Sequence, residues 1–286
     1  MSMKRINGQK LKKYLLGAIQ IYSRTELSVC TGNATLFLLM SIVPLLMLAV
    51  AVINLIPGFS ADDLTEILNL CLPDLPEIRA LVQSTIRNLN NQSGGVVISI
   101  SAVMTLYSAS KGVSAIQYGL AKINENIVST LWAKLISLIY TLVFVLLIPA
   151  FLIFQVLHNM ILELMSALTD MLSLPDLFQQ LDAFMRYSGI ISAALMVCVI
   201  MLTYSYLSGT KERFRSQLPG SILASVLWIT FSAAFSYFIP MFWKSSSFYG
   251  SLASVFLIAM WLRYIMIFLF FGAALNKSIQ NVTRNV

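Results

Sequence analysis

Arg263 stands near the middle of an otherwise apolar run, Ser251 to Leu275. A guanidinium presents a rigid fork of donors that matches phosphate or carboxylate, so the chemistry it suggests is anion capture. No carboxylate lies deep in a comparable run to neutralise it. Its partners must then be backbone carbonyls, Ser or Tyr hydroxyls, cavity water or an anionic ligand. Two readings follow: an anion-handling residue, or a structural arginine buried in a helix bundle. Lys111 is a second cation inside an apolar run, close enough to its end for the long stem to carry the ammonium to the interface. Ser108, Ser110, Gly112 and Ser114 surround it with small and hydroxylated side chains, suited to close helix packing or to lining a wet path.

Other chemistry finds little support in the chain. His158 is its single histidine, and no HExxH, GxSxG, phosphate-loop or paired-cysteine pattern occurs. No Asp or Glu falls deep in an apolar run, which argues against a carboxylate proton relay. Neither catalysis, nor a metal, nor a cofactor is expected. Cys30, Cys71 and Cys198 fall at different levels of the expected topology, so no intrachain disulfide is expected.

The elements that must position Arg263 and Lys111 are membrane helices. Of 286 residues, 58% are hydrophobic and 11% charged, against about 25% charged in a typical soluble domain. A hydrocarbon core of about 30 Å needs roughly 20 apolar residues per helix. Runs of that kind occupy residues 34–56, 96–116, 135–157, 189–207, 219–240 and 251–275. The expectation is an all-α integral membrane protein with six transmembrane helices in one bundle. Residues 1–33 form a cytoplasmic amphipathic segment before it, and residues 276–286 a cytoplasmic tail after it.

The net charge of +7 invites a nucleic-acid reading, which its distribution opposes. Segments on the side of the N-terminus carry thirteen Lys or Arg and three acids, whereas the opposite loops carry four basic residues and nine acids. This is a positive-inside signal, and it places both termini in the cytoplasm. Before the first span, Leu11, Tyr14, Leu15, Ala18, Ile19 and Tyr22 recur at helical spacing beside Lys10, Lys12, Lys13 and Arg24. They predict a helix at the membrane surface, where anionic headgroups attract lysines. Two long outer loops keep helical periodicity at 64–89 and 161–184. Pro44 and Pro149 interrupt the first and third spans. Each frees a backbone carbonyl, as in broken transporter helices, although membrane helices also tolerate proline on geometric grounds.

Several motifs taken together resemble the YihY/BrkB family of bacterial inner-membrane proteins. They are Tyr107 to Gly112, Leu218-Pro219-Gly220 with Trp228, Tyr249-Gly250-Ser251-Leu252, Trp261-Leu262, and Gly272 to Asn276, with Ser41 and Pro44 in the first span. The resemblance runs from about residue 10 to 280 and implies a multi-pass protein of the bacterial cytoplasmic membrane with six helices. Members of that family were once labelled ribonuclease BN, and some are linked to serum resistance or to lipid and lipopolysaccharide export. The family commonly has an acid at the position of Ala274 and an aromatic residue at that of Arg263. A mechanism built on that acid does not carry over to this chain. The ribonuclease label fits poorly as well, since phosphodiester hydrolysis needs clustered metal-binding acids or a histidine pair.

The functional expectation is a transporter or flippase-like exporter of an amphipathic or lipid-like anion. Arg263 would hold the anion, and Lys111, with Ser108 and Ser110, would guide it from the cytoplasmic mouth. The alternative is a non-transporting scaffold that organises membrane lipids or envelope proteins.

Overall fold

The computed structural model describes residues 8–53, 95–125, 188–208, 214–242 and 251–284, with short helical pieces at 79–80, 83–84, 86–87, 135 and 138–141. Among these residues every regular element is helical. They comprise α1 (Gly8–Arg24), α2 (Leu27–Ile53), α3 (Gly95–Ile123), α4 (Ser188–Leu207), α5 (Leu218–Phe242) and α6 (Ser251–Arg284), with a 3-10 turn, Phe214–Gln217, leading into α5. Pro149, Tyr249, Gly250, His158, Cys71 and most of the third expected span lie outside the described residues.

Two stretches, Phe214–Ile239 and Val255–Thr283, are long and apolar enough to cross a membrane, and the bent pair Lys12–Arg24 with Leu27–Ile42 would make a third. Where the described residues cover the expected spans they are helical, and three of these helices run past the expected ends. α2 begins at Leu27 instead of residue 34, and its polar start is stabilised from within: the Thr31 hydroxyl donates to the Leu27 carbonyl at 2.8 Å, and Thr35 to that of Thr31 at 2.8 Å. Ser41 does the same to Leu38 at 2.7 Å. The helix continues through Pro44. At the other end of the chain, α6 does not stop at Leu275 but runs on to Arg284, so the expected tail is largely helix. With 34 residues, α6 is about 51 Å long, well beyond the hydrocarbon core.

The extra length of α6 is where α1 packs. Ala18, Ala274 and Leu275 form a buried cluster, and the Ser278 hydroxyl donates to the Tyr14 carbonyl at 2.9 Å. Gly17 faces Ser278 so closely that a Cβ there would collide with its hydroxyl. Between α1 and α2 the chain bends by 71°. Glu26 makes the corner with φ of 48°, and Lys122 at the end of α3 holds it through a 3.2 Å ion pair. α2 and α3 lie side by side on small residues, with Gly112 against Leu38 and Gly119 against Cys30 and the Phe270 ring.

The tightest joint is between α5 and α6. Gly220 and Gly272 let the two backbones meet: a Cβ on Gly272 would lie 2.6 Å from the Tyr204 hydroxyl and 2.5 Å from the Gly220 carbonyl oxygen. Asn276, one turn below Gly272, closes the joint. Its Oδ1 accepts from the Gly220 N–H at 2.7 Å, and its Nδ2 donates to the Gln217 carbonyl at 3.0 Å and to Gln217 Oε1 at 2.9 Å. Tyr204 of α4 donates to the Leu269 carbonyl at 2.5 Å, which brings a third helix to the same point. Pro219 sits in the first turn of α5, where its missing N–H costs nothing. Higher along the seam, Trp228 and Trp261 meet edge to face at 6.2 Å, and Trp261 donates to Ser232 at 3.0 Å.

Gly220→Ala is therefore expected to destabilise the protein by about 1–3 kcal/mol through overpacking. Gly32→Ala, where the nearest atom would be 3.9 Å from the new Cβ, should change stability little. Thermal loss of the monodisperse detergent-solubilised peak, measured for both variants, checks the contrast.

Candidate functional site

Arg263 lies twelve residues into α6, about 18 Å from its start at Ser251. Its neighbours on the helix divide by face. Leu257, Ile258, Trp261 and Ile265 are buried in the core, whereas Arg263 and Tyr264 are exposed. The helix is thus anchored on both sides of the arginine, and the guanidinium opens at the surface of the helix assembly. It points toward α2: a Cβ on Gly32 would stand 3.9 Å from Nη1, so the glycine leaves this contact free of side chain. Among the described residues Arg263 makes no hydrogen bond and no ion pair. Its five N–H donors accordingly have no acceptor among the described residues.

Aromatic rings flank the arginine. Phe231 of α5 lies 4.8 Å from the Tyr264 ring and 5.4 Å from that of Phe268. The two faces of α6 at this level are therefore distinct, one packed with rings and one carrying an open cation. The open fork can bind an oxyanion bidentately.

The other expected site residues separate. Lys111 is exposed and stands 5.5 Å over the Tyr107 ring, a cation–π contact on the outer face of α3. Gly112, its neighbour, is buried against α2. Ser108 and Ser110 are half-buried. Lys111 stands on α3 beside the Tyr107 ring, and Arg263 on α6 toward Gly32 of α2. Ala274, eleven residues after Arg263, is fully buried beside Ala18 in the α1 contact.

The motif residues Pro219, Gly220, Gly272 and Asn276, together with Trp228 and Trp261, gather along the α5–α6 joint. Sequence reasoning missed two of their partners, Gln217 and Tyr204. A glutamine directly before Leu218-Pro219-Gly220 and a tyrosine in an apolar helix were the available signals. Among the described residues, no group of three or more His, Cys, Asp or Glu side chains converges as a metal site would require.

Comparison with known proteins places these features in context. Residues 18–286 match the family model described as "Virulence factor BrkB". The chain is also 28% identical over 244 residues to a Bacillus subtilis (strain 168) protein named "Putative ribonuclease-like protein YfkH", covering 84% of this chain and 85% of that one. No solved structure matches the chain significantly.

A cysteine at position 263, in a chain whose own cysteines are replaced by alanine, should react readily with a charged methanethiosulfonate in proteoliposomes. Leu257→Cys, fully buried, should not. Equal protection of both would mean that the surface around Arg263 is sealed by lipid.

Proposed function

The chain belongs to the BrkB family, and from that premise we propose that it is a flippase-like exporter of an amphipathic anion in the bacterial inner membrane. In this reading it crosses the membrane six times with both ends in the cytoplasm, as the charge asymmetry of the loops supports. The observation that carries the reading is Arg263: an exposed guanidinium with no acceptor among the described residues, twelve residues into a helix that outruns the bilayer core. Insertion of arginine at the centre of a span costs a few kcal/mol, and a ligand phosphate or carboxylate offsets that cost through charge-assisted bonds.

Arg263 takes the anionic group where α6 passes Gly32. Lys111 collects anions near its own surface, and Ser108 and Ser110 belong to the packing of α3. Hydrolysis forms no part of this proposal. The "ribonuclease-like" name belongs to the Bacillus relative; this sequence has one histidine, and among the described residues no acids cluster as metal-assisted phosphodiester cleavage would need.

A second reading, a scaffold that organises lipids or envelope proteins, is favoured by the basic α1 docked on α6. Scrambling of a fluorescent anionic phospholipid in proteoliposomes separates the two. The exporter reading expects movement above empty vesicles, a loss of about ten- to a hundredfold in Arg263→Leu, and partial recovery in Arg263→Lys, which keeps the charge without the fork. Folded wild-type protein that moves no lipid would leave the scaffold.

A further inference from the structure

A cavity of about 550 Å³ opens between α1 and the C-terminal end of α6, far along the chain from Arg263. One wall is a single stripe of α1, in which Lys13, Gly17, Gln20 and Arg24 follow one another at helical spacing with Lys12 beside them. The other wall is the part of α6 beyond the expected span, with Ser278 and Asn281. Its lining carries three cations and no acid. Lys12, Lys13 and Arg24 are exposed and form no ion pair among the described residues. The nearest acid in sequence, Glu26, is occupied by Lys122 at 3.2 Å.

The bend at Glu26 decides what this groove meets. If α2 runs along the membrane normal, the 71° bend leaves α1 within about 20° of the membrane plane, where interfacial helices lie. Leu16 and Ile19, exposed by 56% and 55%, lie beside Lys12 around the helix, and Leu16 lines the groove, so contact with acyl chains adjoins the cations, whose long stems reach headgroup level.

We propose that this groove is a binding site for the phosphodiester headgroup of an anionic phospholipid. Lys12 and Lys13 hold the phosphate from one end, Arg24 from the other, and the Gln20 and Asn281 amides reach the glycerol or headgroup hydroxyls between them. A choline headgroup brings its own cation against these three and is disfavoured. The site is independent of the transport reading and of Arg263.

Native mass spectrometry of the full chain in detergent, titrated with phosphatidylglycerol or phosphatidylcholine, tests it. At about 1 kcal/mol per basic residue near the surface, three cations predict a preference for phosphatidylglycerol on the order of a hundredfold. The variant Lys12→Gln/Lys13→Gln/Arg24→Gln should abolish that preference, and Lys13→Glu alone should weaken it. Lys111→Gln and Arg263→Leu should keep it. Since the mutated cations are exposed, an unchanged size-exclusion profile is expected and confirms folding. Equal binding of the two lipids, or a preference that survives the triple variant, would overturn the proposal. Displacement of phosphatidylglycerol by equimolar inorganic phosphate would overturn it too, by making this a free-anion site.

Discussion

Two glycines that allow two backbones to touch, and one asparagine that bonds across the contact, hold the described structure in register. Gly220 and Gly272 bring α5 and α6 together, and Asn276 ties the Gly220 N–H to both oxygens of Gln217. In lipid no apolar driving force pulls helices together, so close packing and interhelical hydrogen bonds must do it. All three residues are at the same level as the Tyr204 hydroxyl, which carries α4 into the joint. Once this point is fixed, the tryptophan pair and the Phe231 rings above it, and the α1 contact below it, follow from the straight run of α6.

That run is the organising geometry. α6 is longer than a bilayer core is thick, and its two parts do different things. The apolar part carries Arg263 on an open face against α2. The part beyond it is amphipathic: Ala274, Leu275 and Ser278 are buried under α1, and Asn281 is exposed. The corner at Glu26 permits the same chain segment to serve both, since α1 lies across the lower part of α6 and α2 turns up along the remainder.

Much of this was legible in the sequence as hydrophobic lengths. The fourth and fifth runs, 189–207 and 219–240, coincide with α4 and α5 to within one or two residues. α2, α3 and α6 are longer than their runs, since an apolar count measures membrane thickness and a helix continues as long as its polar turns are packed or capped. Thr31, Thr35 and Ser278 supply that support. The motif residues were visible too, but not their role: a small residue reads alike whether it lines a path or lets a backbone approach. Arg263 was conspicuous by composition. The Gly32 contact that it faces was not, because the faces of α2 and α6 meet through distant packing that no local pattern encodes.

The bond from Ser278 to Tyr14 joins residues 264 positions apart, the first described helix to the last. Such a contact sets an order of assembly. At roughly 5–20 residues per second of synthesis, α1 waits some tens of seconds for its partner surface to be made. During that interval its apolar stripe has only the membrane surface to cover it, so the bilayer acts first as a temporary partner and gives way when α6 arrives. The bond to Tyr14 thus forms only once α6 is made, and a ribosome stalled before residue 278 would leave it unmade.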